Sequence, residues 1–271
     1  NTASSNTAVG AFSLNSNTTG TKNTSVGKCT LASNTTGNCN TALGVDALTT
    51  NSTGANNTGI GEHALANNTT ANNNTAVGYF SLNTNSTGAQ NVGLGCGALS
   101  SNTTASENVG VGHGSLGDNT TGGNNTAIGS FSLRNNTTAN NNTAVGFCAL
   151  KSNTTGTNNI AIGSETLKLN TTAGANIAIG NLAMDANTTG DENTAVGTSA
   201  MGANTTGEYN TAFGRSALTA NTTADYNTAI GYEVLCDNTT GDRNVGLGSL
   251  ALCSNTEGIR NVSVGYGTLS N

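Results

Sequence analysis

The sequence predicts an all-β fold, a β-solenoid or β-roll in which one 17-residue phrase forms each coil. Three observations predict it: an unbroken repeat, a fixed apolar and glycine pattern inside each repeat, and a composition that disfavours helices. The phrase "NTAVGAFSLNSNTTGTK", which begins at Asn6, is followed at Asn23 by "NTSVGKCTLASNTTGNC". Fixed-period self-similarity indicates an architecture in which each repeat packs on its neighbours.

The repeat runs through all 271 residues without slipping. It gives 15 complete phrases from Asn6 and a partial phrase at 261–271, while residues 1–5 match the end of a phrase. We therefore predict a single repeat array over 1–271. Because the sequence starts and stops within a phrase and repeat arrays need atypical caps, we expect it to be a segment of a longer fibre.

Composition argues against several classes of protein. Charged residues make up 8% and hydrophobic residues 34%, both below the values usual for globular domains. A formal net charge of -6 gives no basic surface for nucleic acid, and no apolar run is long enough for a membrane span. Periodic apolar residues and low charge argue against disorder.

Positions in each phrase are numbered 1 to 17 from the leading Asn, and the residues at one position form a column. Column 4 is always apolar, column 9 is Leu or Met, and column 3 holds only Ala, Gly or Ser. A phrase this short and this rich in Asn, Thr and Gly cannot form two packed helices. We expect two extended segments, columns 1–5 and 6–9, with turns at the column 5 Gly and at "NTTG".

Three columns have fixed polar or glycine residues. Column 5 is Gly in all sixteen phrases, whereas column 15 is Ala in five of fifteen, for example Ala71 and Ala105. Column 5 therefore predicts a positive φ or a close backbone approach, and column 15 does not. Columns 1 and 12 are Asn throughout, which predicts stacked amide ladders at the turns.

The predicted core is thin. Columns 4 and 9 supply two large side chains per coil. Their burial, at about 1.5–3 kcal/mol each, hardly offsets a backbone entropy of about 1–2 kcal/mol per residue. Either hydrogen bonds between coils carry an unusual share of the stability, or several chains pool their apolar edges. The second explanation is favoured here.

Columns 2–5 contain the pieces "TAVG", "TAIG" and "IAIG", and Ala or Ser follows in column 8. This pattern resembles the head repeats of YadA-like trimeric adhesins, "SVAIGxxAxAxGxx". Similar repeats occur in bacterial and phage tail-fibre proteins. The resemblance covers the whole chain on a short motif, and the 17-residue period is longer than in that family. It implies a left-handed β-roll, three identical chains around one axis, and adhesion.

The variable columns indicate a surface rather than an active site. Of the 22 charged residues, 21 lie in columns 6, 7, 10, 11, 16 and 17, as do nine of the ten aromatic residues. An enzyme needs different groups that converge on one point. We therefore predict a non-enzymatic, extracellular, cell-surface or virion fibre shaft without a cofactor. Its expected partners are further copies of itself, as a homotrimer or a filament, and an unidentified surface ligand.

Two alternatives come from other classes. The chain could form a self-assembling extracellular filament of single-chain solenoids, with or without glycosylation. It could also be an ice-binding β-solenoid that presents the Thr ladders of columns 13 and 14, which requires a flat Thr face.

Exposed aromatic residues are the candidate contact sites, because aromatic side chains bury much area at small entropic cost. We assign columns 6 and 17 to ligand contact and column 7 to subunit contact. The candidate ligand contacts are Tyr79, Phe147, Tyr209, Tyr226, Tyr232 and Tyr266. The candidate subunit contacts are Phe12, Phe80 and Phe131.

Cys236 and Cys253 lie 17 residues apart, so they stack on adjacent coils at a spacing of about 4.8 Å, which suits a disulfide. Cys29 and Cys39 share one coil and are a second candidate pair. Either disulfide would imply an oxidising compartment, and surface thiols are the alternative. The two His residues lie in different columns three coils apart, so no metal site is expected.

Column 12 forms an Asn-x-Ser/Thr sequon in 14 of 15 phrases. Column 13 is always Thr or Ser, although a sequon leaves its middle position free, so the motif has a structural reason whether or not it carries sugar. The candidate glycosylation sites are Asn17, Asn34, Asn51, Asn68, Asn85, Asn102, Asn119, Asn136, Asn153, Asn170, Asn187, Asn204, Asn221 and Asn238.

The numbering of columns makes a direct prediction about burial. Leu99 and Leu150 in column 9 should be buried, while Arg134 and Lys151 in column 10 should be exposed.

Overall fold

A computed structural model describes residues 3–270 and shows a β-solenoid, with one short parallel strand per phrase and no helix in that range. Each strand occupies columns 2–4. The strands are β1 Thr7–Val9, β2 Thr24–Val26, β3 Thr41–Leu43, β4 Thr58–Ile60, β5 Thr75–Val77, β6 Val92–Leu94, β7 Val109–Val111, β8 Thr126–Ile128, β9 Thr143–Val145, β10 Ile160–Ile162, β11 Ile177–Ile179, β12 Thr194–Val196, β13 Thr211–Phe213, β14 Thr228–Ile230, β15 Val245–Leu247 and β16 Val262–Val264. The predicted all-β solenoid is confirmed.

The chain divides into two compact units, Asn1–Ala139 and Asn140–Asn271. The first contains β1 to β8 and the second β9 to β16. Within each unit, neighbouring strands pair in parallel so that each residue faces its equivalent in the next phrase, as Thr41 faces Thr58. The register between coils therefore equals the repeat length.

The core of each coil comes from columns 3, 8 and 9. On the coil of β3, Ala42, Ala47 and Leu48 are all fully buried. Column 9 supplies the largest buried side chains, and the prediction for Leu99 and Leu150 is confirmed because both are inaccessible to solvent. Leu and Ala thus fill the narrow interior between the strand and the opposite side of the coil.

The prediction that the column 10 cations are exposed is wrong in degree. Arg134 and Lys151 are both half-buried. The guanidinium of Arg134 lies over the Phe131 ring, 5.4 Å from its centroid, in a cation–π contact that covers part of both side chains. A long side chain on a closely stacked surface loses exposure to its neighbours even when it points outward.

The prediction of a second extended segment at columns 6–9 is wrong. These residues form turns, and columns 7 and 9 adopt left-handed backbone conformations, as at Asp46 (φ 57°) and Leu48 (φ 51°). The conformation lets successive amides point to opposite neighbours. Asp46 N donates to Lys28 O of the preceding coil at 3.0 Å, and Leu48 N donates to Ala64 O of the following coil at 3.0 Å. Hydrogen bonds between coils therefore continue around the turn.

The prediction for column 5 is confirmed, whereas the prediction for column 15 is confirmed only for its φ. Gly61 in column 5 has φ 126°, and a Cβ built on it would lie 2.7 Å from the carbonyl oxygen of Gly78 on the next coil. Only glycine fits this combination. Column 15 has no positive φ, and Ala71 and Ala105 are buried there, but a Cβ built on Gly54 would clash with Ala71 O of the next coil, so this column also approaches a neighbouring backbone closely.

The two Asn columns form buried ladders, as predicted. In column 12, Asn51 Nδ2 donates to Asn34 Oδ1 at 2.8 Å and to Gly54 O at 3.0 Å. In column 1, Asn57 N donates to Asn40 Oδ1 at 3.0 Å. Because buried polar groups must be hydrogen-bonded, each Asn needs its equivalent on the next coil. Hydrogen bonds between coils thus add to the contacts of the thin apolar core.

Candidate functional site

The outward side of the strand carries an exposed apolar column. Column 3 points inward and is buried, so columns 2 and 4 face the other way, as the alternation of a β-strand requires. Val77 is 36% exposed, Phe213 55% and Leu247 43%. The expectation that column 4 lies in the core of its own coil is therefore wrong, because the narrow interior of each coil is already filled by columns 3, 8 and 9.

Column 4 is half-buried or exposed along both units. Single exposed apolar side chains are common on protein surfaces, whereas a contiguous apolar patch marks an interaction surface. No charged residue occupies column 2, 3 or 4 of any phrase. The outward strand face is consequently a continuous uncharged strip within each unit.

The column 6 aromatics are exposed at the surface. Tyr79 is 52% exposed, Phe147 50% and Tyr266 78%. Tyr79 nevertheless packs on Phe80, with ring centroids 4.4 Å apart. Tyr232 lies under Arg215, whose guanidinium carbon is 5.7 Å from the ring centroid. These rings could meet a ligand at their exposed sides, so their assignment to ligand contact stays a prediction.

The three column 7 phenylalanines differ from one another. Phe12 is 63% exposed, while Phe80 and Phe131 are half-buried. His63 lies 4.9 Å from Phe80, and His113 lies 4.8 Å from Phe131, between ring centroids. Contacts inside the chain therefore account for the partial burial of two of these rings. Their role in subunit contact stays a prediction.

Tyr209 and Tyr226 in column 17 form a stack on adjacent coils. Their ring centroids are 4.9 Å apart and their planes differ by 6°. Arg243 on the following coil lies over Tyr226 at 5.2 Å. Neighbouring coils therefore contact Tyr226 from two residues and Tyr209 from one, and the assignment of these two rings to ligand contact stays a prediction.

The pKa values of Tyr209, Lys168 and Asp185 are raised. The charge of Glu192 raises the pKa of Tyr209. A hydrogen bond of 2.8 Å from Lys168 Nζ to Glu165 raises the pKa of Lys168, and partial burial raises the pKa of Asp185. These are surface pairs, which contribute little to stability. An open groove of about 300 Å³ beside Asp191 contains no enclosed set of reactive groups.

The structure pairs Cys236 with Cys253 in a disulfide, with their Cα atoms 5.0 Å apart on adjacent coils. Cys29 and Cys39 are both free, so the second candidate pair is not formed. Cys29 follows β2 whereas Cys39 precedes β3, and these positions belong to different turns of the coil. In residues 3–270, the one cluster compact enough for a metal ion contains the two disulfide-bonded sulfurs together with Asp237.

The candidate glycosylation sites are not accessible in the folded chain. Asn102 is fully buried, and its Nδ2 donates to Asn85 Oδ1 at 2.8 Å and to Ala105 O at 3.0 Å. A glycan would be attached to this same nitrogen, so it would displace both bonds and separate the coils. N-glycosylation of column 12 therefore stays a prediction, and in the buried part of the ladder it would require the coils to separate. Asn34, Asn51, Asn68, Asn85, Asn102, Asn119, Asn136, Asn153, Asn170, Asn187, Asn204, Asn221 and Asn238 are buried, and Asn17 is half-buried.

Columns 13 and 14 lie in a bend rather than a strand. The column 13 hydroxyls bond between coils, as when Thr103 Oγ1 donates to Thr120 O at 3.0 Å. Only column 14 is exposed, as at Thr104 and Thr121. A single Thr column in a bend does not provide the wide, flat face that the ice-binding alternative requires.

No protein-family model matches the sequence, and no curated protein matches it significantly. Among residues 3–270 there is no helix of the length and apolarity needed to cross a bilayer. The similarity to adhesin and fibre repeats therefore stands on the motif alone. The strongest feature on which to base a function is the exposed apolar face of the strands, which the sequence did not distinguish from a core column.

Proposed function

We propose that this chain is the non-enzymatic shaft of an extracellular fibre, in which three copies associate through the outward strand face. The observation that carries the proposal is column 4, which is apolar in every phrase and yet exposed on the single chain. Three chains around one axis would cover this face while they leave the variable columns accessible for adhesion.

The free energy of association depends on the number of coils in the array. Covering the exposed half of one Val, Ile or Leu side chain contributes about 1 kcal/mol per coil. The eight coils of one unit would then contribute about 8 kcal/mol, comparable to the cost of about 4–15 kcal/mol for association. A long array can therefore associate where a few coils cannot, which gives a physical reason for many repeats in a shaft.

The adhesive surface in this proposal consists of the columns that vary. Columns 6, 10, 11, 16 and 17 present different side chains on successive coils, whereas columns 2 and 4 are restricted. The exposed rings of Tyr79, Phe147 and Tyr266 are the residues that we assign to a ligand. An array of this kind offers many equivalent positions to a surface that is itself repetitive, so weak contacts combine through multivalency.

The mass in solution tests the assembly. Light scattering on the chain should give three times 26.7 kDa, about 80 kDa, independent of concentration above the dissociation constant. A mass that grows without limit would support the filament of single-chain solenoids instead. A mass of 26.7 kDa at all concentrations would contradict the proposal.

A further inference from the structure

The outward strand face is not uniform, because column 2 alternates between two chemistries. It is Thr in most phrases and Val or Ile in the others. The apolar residues occur only on consecutive coils, and we call each such pair an apolar band. The bands are Val92 with Val109, Ile160 with Ile177, and Val245 with Val262.

The column 2 side chains lie at the surface beside column 4. Ile160 and Ile177 are each 37% exposed and Val245 is 38% exposed, while Thr194 and Thr211 are half-buried. In residues 3–270, the Thr residues of this column bond to other residues through their backbone and not through their hydroxyls. A surface that covers the outward strand face must therefore pack against apolar side chains at the bands. Elsewhere it must supply hydrogen-bond partners for the Thr hydroxyls.

We infer that the apolar bands fix the axial register of identical chains, so that a second copy binds in parallel with each coil level with its own equivalent. This inference rests on the proposed assembly through the outward strand face. At zero offset, Ile packs on Ile or Val on Val, and Thr hydroxyls meet Thr hydroxyls, with which they can hydrogen-bond.

Shifts by one or two coils bring the two chemistries together, and a shift by five coils, which superposes one band on the other, leaves only three of the eight coils of the second unit overlapping. That unit begins at Asn140 and contains strands β9 to β16. Their column 2 residues are, in order, Thr, Ile, Ile, Thr, Thr, Thr, Val and Val. A shift by one coil leaves half of the apolar residues facing Thr, and a shift by two leaves none facing an apolar partner. A Thr hydroxyl covered by Ile or Val loses water without gaining a partner, which disfavours that register.

Other occupants fit this face less well. The face has no charge for an oppositely charged partner to recognise, since columns 2 to 4 contain no Asp, Glu, Lys or Arg. A lipid surface would receive the bands but would leave the intervening Thr hydroxyls unpaired. A second copy of this chain supplies both chemistries in the same order and spacing.

Cysteine cross-linking measures the register directly. The parent is the full chain with Cys29, Cys39, Cys96 and Cys148 changed to Ser, which keeps the Cys236–Cys253 disulfide. Column 7, which contains Cys29 and Cys148, already holds Ser in other phrases, so the background should fold. Single cysteines are then introduced into separately tagged copies of this parent, which are co-expressed in pairs. The substitutions are Thr194→Cys, Thr211→Cys and Thr228→Cys.

The inference expects Thr194→Cys to cross-link with itself, and neither of the mixed pairs to cross-link. Cross-linking of Thr194→Cys to Thr211→Cys would show a shift by one coil and overturn the inference. Cross-linking of Thr194→Cys to Thr228→Cys would show either a parallel shift by two coils or an antiparallel pair, since the reversed alignment also superposes the two bands of the unit, and either result would overturn the inference.

A second variant tests whether the bands are the cause. This variant moves one band and preserves the amino-acid composition. It carries Ile160→Thr, Ile177→Thr, Thr211→Ile and Thr228→Ile. Co-expressed with the parent, it should form mixed oligomers at least about tenfold less often than the matched control Ile160→Val with Ile177→Val, because the moved band covers Thr hydroxyls.

Equal mixing of the moved and control variants would refute the register inference while leaving the trimer intact. If the parent itself gives only monomers by native mass spectrometry, the proposed assembly fails and this inference fails with it. If the moved variant does not fold, the cross-linking pattern of the parent decides.

Discussion

Columns 4 and 6 both reach the surface, two residues apart on every coil, but they follow opposite rules. Column 4 contains only Val, Ile, Leu and Phe, whereas column 6 ranges from Lys28 and Glu62 to Tyr79 and Ser130. Both are exposed on the single chain, as at Val77 and Tyr79. Exposure therefore does not explain the restriction of column 4. The proposed cover by identical chains supplies a reason that the single chain lacks.

Two neighbouring glycines show the same contrast between a fixed and a variable column. A substitution at the fixed glycine should give the largest change in the free energy of unfolding. Gly95 in column 5 has φ 135°, and a Cβ there would lie 2.7 Å from Gly112 O. Gly97 in column 7 has φ 64° with nothing within 4 Å of a built Cβ. We expect Gly95→Ala to lower the free energy of unfolding by about 3–5 kcal/mol, since it adds both strain and a clash.

Gly97→Ala is the matched control. Most phrases hold a larger residue in column 7 with the same left-handed backbone, so its effect should stay within about 1 kcal/mol. Chemical denaturation of both variants measures the difference. Similar losses for the two would mean that the fixed glycine column has no special backbone role.

The buried Asn ladder gives the next largest effect. Asn170 Nδ2 donates to Asn153 Oδ1 and to Ala173 O, each at 3.0 Å. Asn170→Asp keeps the shape but replaces this donor with an acceptor, so we expect a loss of about 2–3 kcal/mol in the free energy of unfolding. The exposed Asn158→Asp should change it by less than about 0.5 kcal/mol. A thermal melt of each variant compares them, and equal melting temperatures would show that the ladder bonds are dispensable.

The smallest expected change in the free energy of unfolding distinguishes the aromatic residues of column 7 from those of column 6. Phe80 is half-buried against His63 and Tyr79, whereas Phe147 is 50% exposed. We expect Phe80→Ser to cost about 1–2 kcal/mol through lost ring contacts, and Phe147→Ser to cost less than about 0.5 kcal/mol. Denaturation midpoints test both. A larger loss for Phe147→Ser would contradict the assignment of column 6 to ligand contact and column 7 to subunit contact.

The repeat predicted much of the fold because each prediction rested on one dominant physical effect. A column that is always Gly, such as Gly61 and its equivalents, indicates a backbone conformation that other residues disfavour. The buried Leu column follows from apolar periodicity. The left-handed turn at Leu48 could not be predicted in this way, because Leu rarely adopts that conformation and is retained for the core its side chain fills.

The candidate site was harder to predict. Sequence periodicity identifies an apolar column but does not say whether its own coil or another chain covers it. The signal that could have decided was column 3, where Ala42 and its equivalents are always small. A strand that turns small residues inward leaves its large apolar column on the outer face. Likewise, the sequon pattern could not reveal that Asn102 and its equivalents point inward.

Thiol accessibility in the assembled chain tests the central claim, that other copies cover column 4. Val77→Cys and Tyr79→Cys, made in the parent without free cysteines, place one thiol in column 4 and one in column 6 of the same coil. Both sites are exposed on the single chain. The account predicts that a maleimide labels Val77→Cys at least about tenfold more slowly than Tyr79→Cys under native conditions, and equally fast after unfolding. Equal labelling rates in the native state would contradict it.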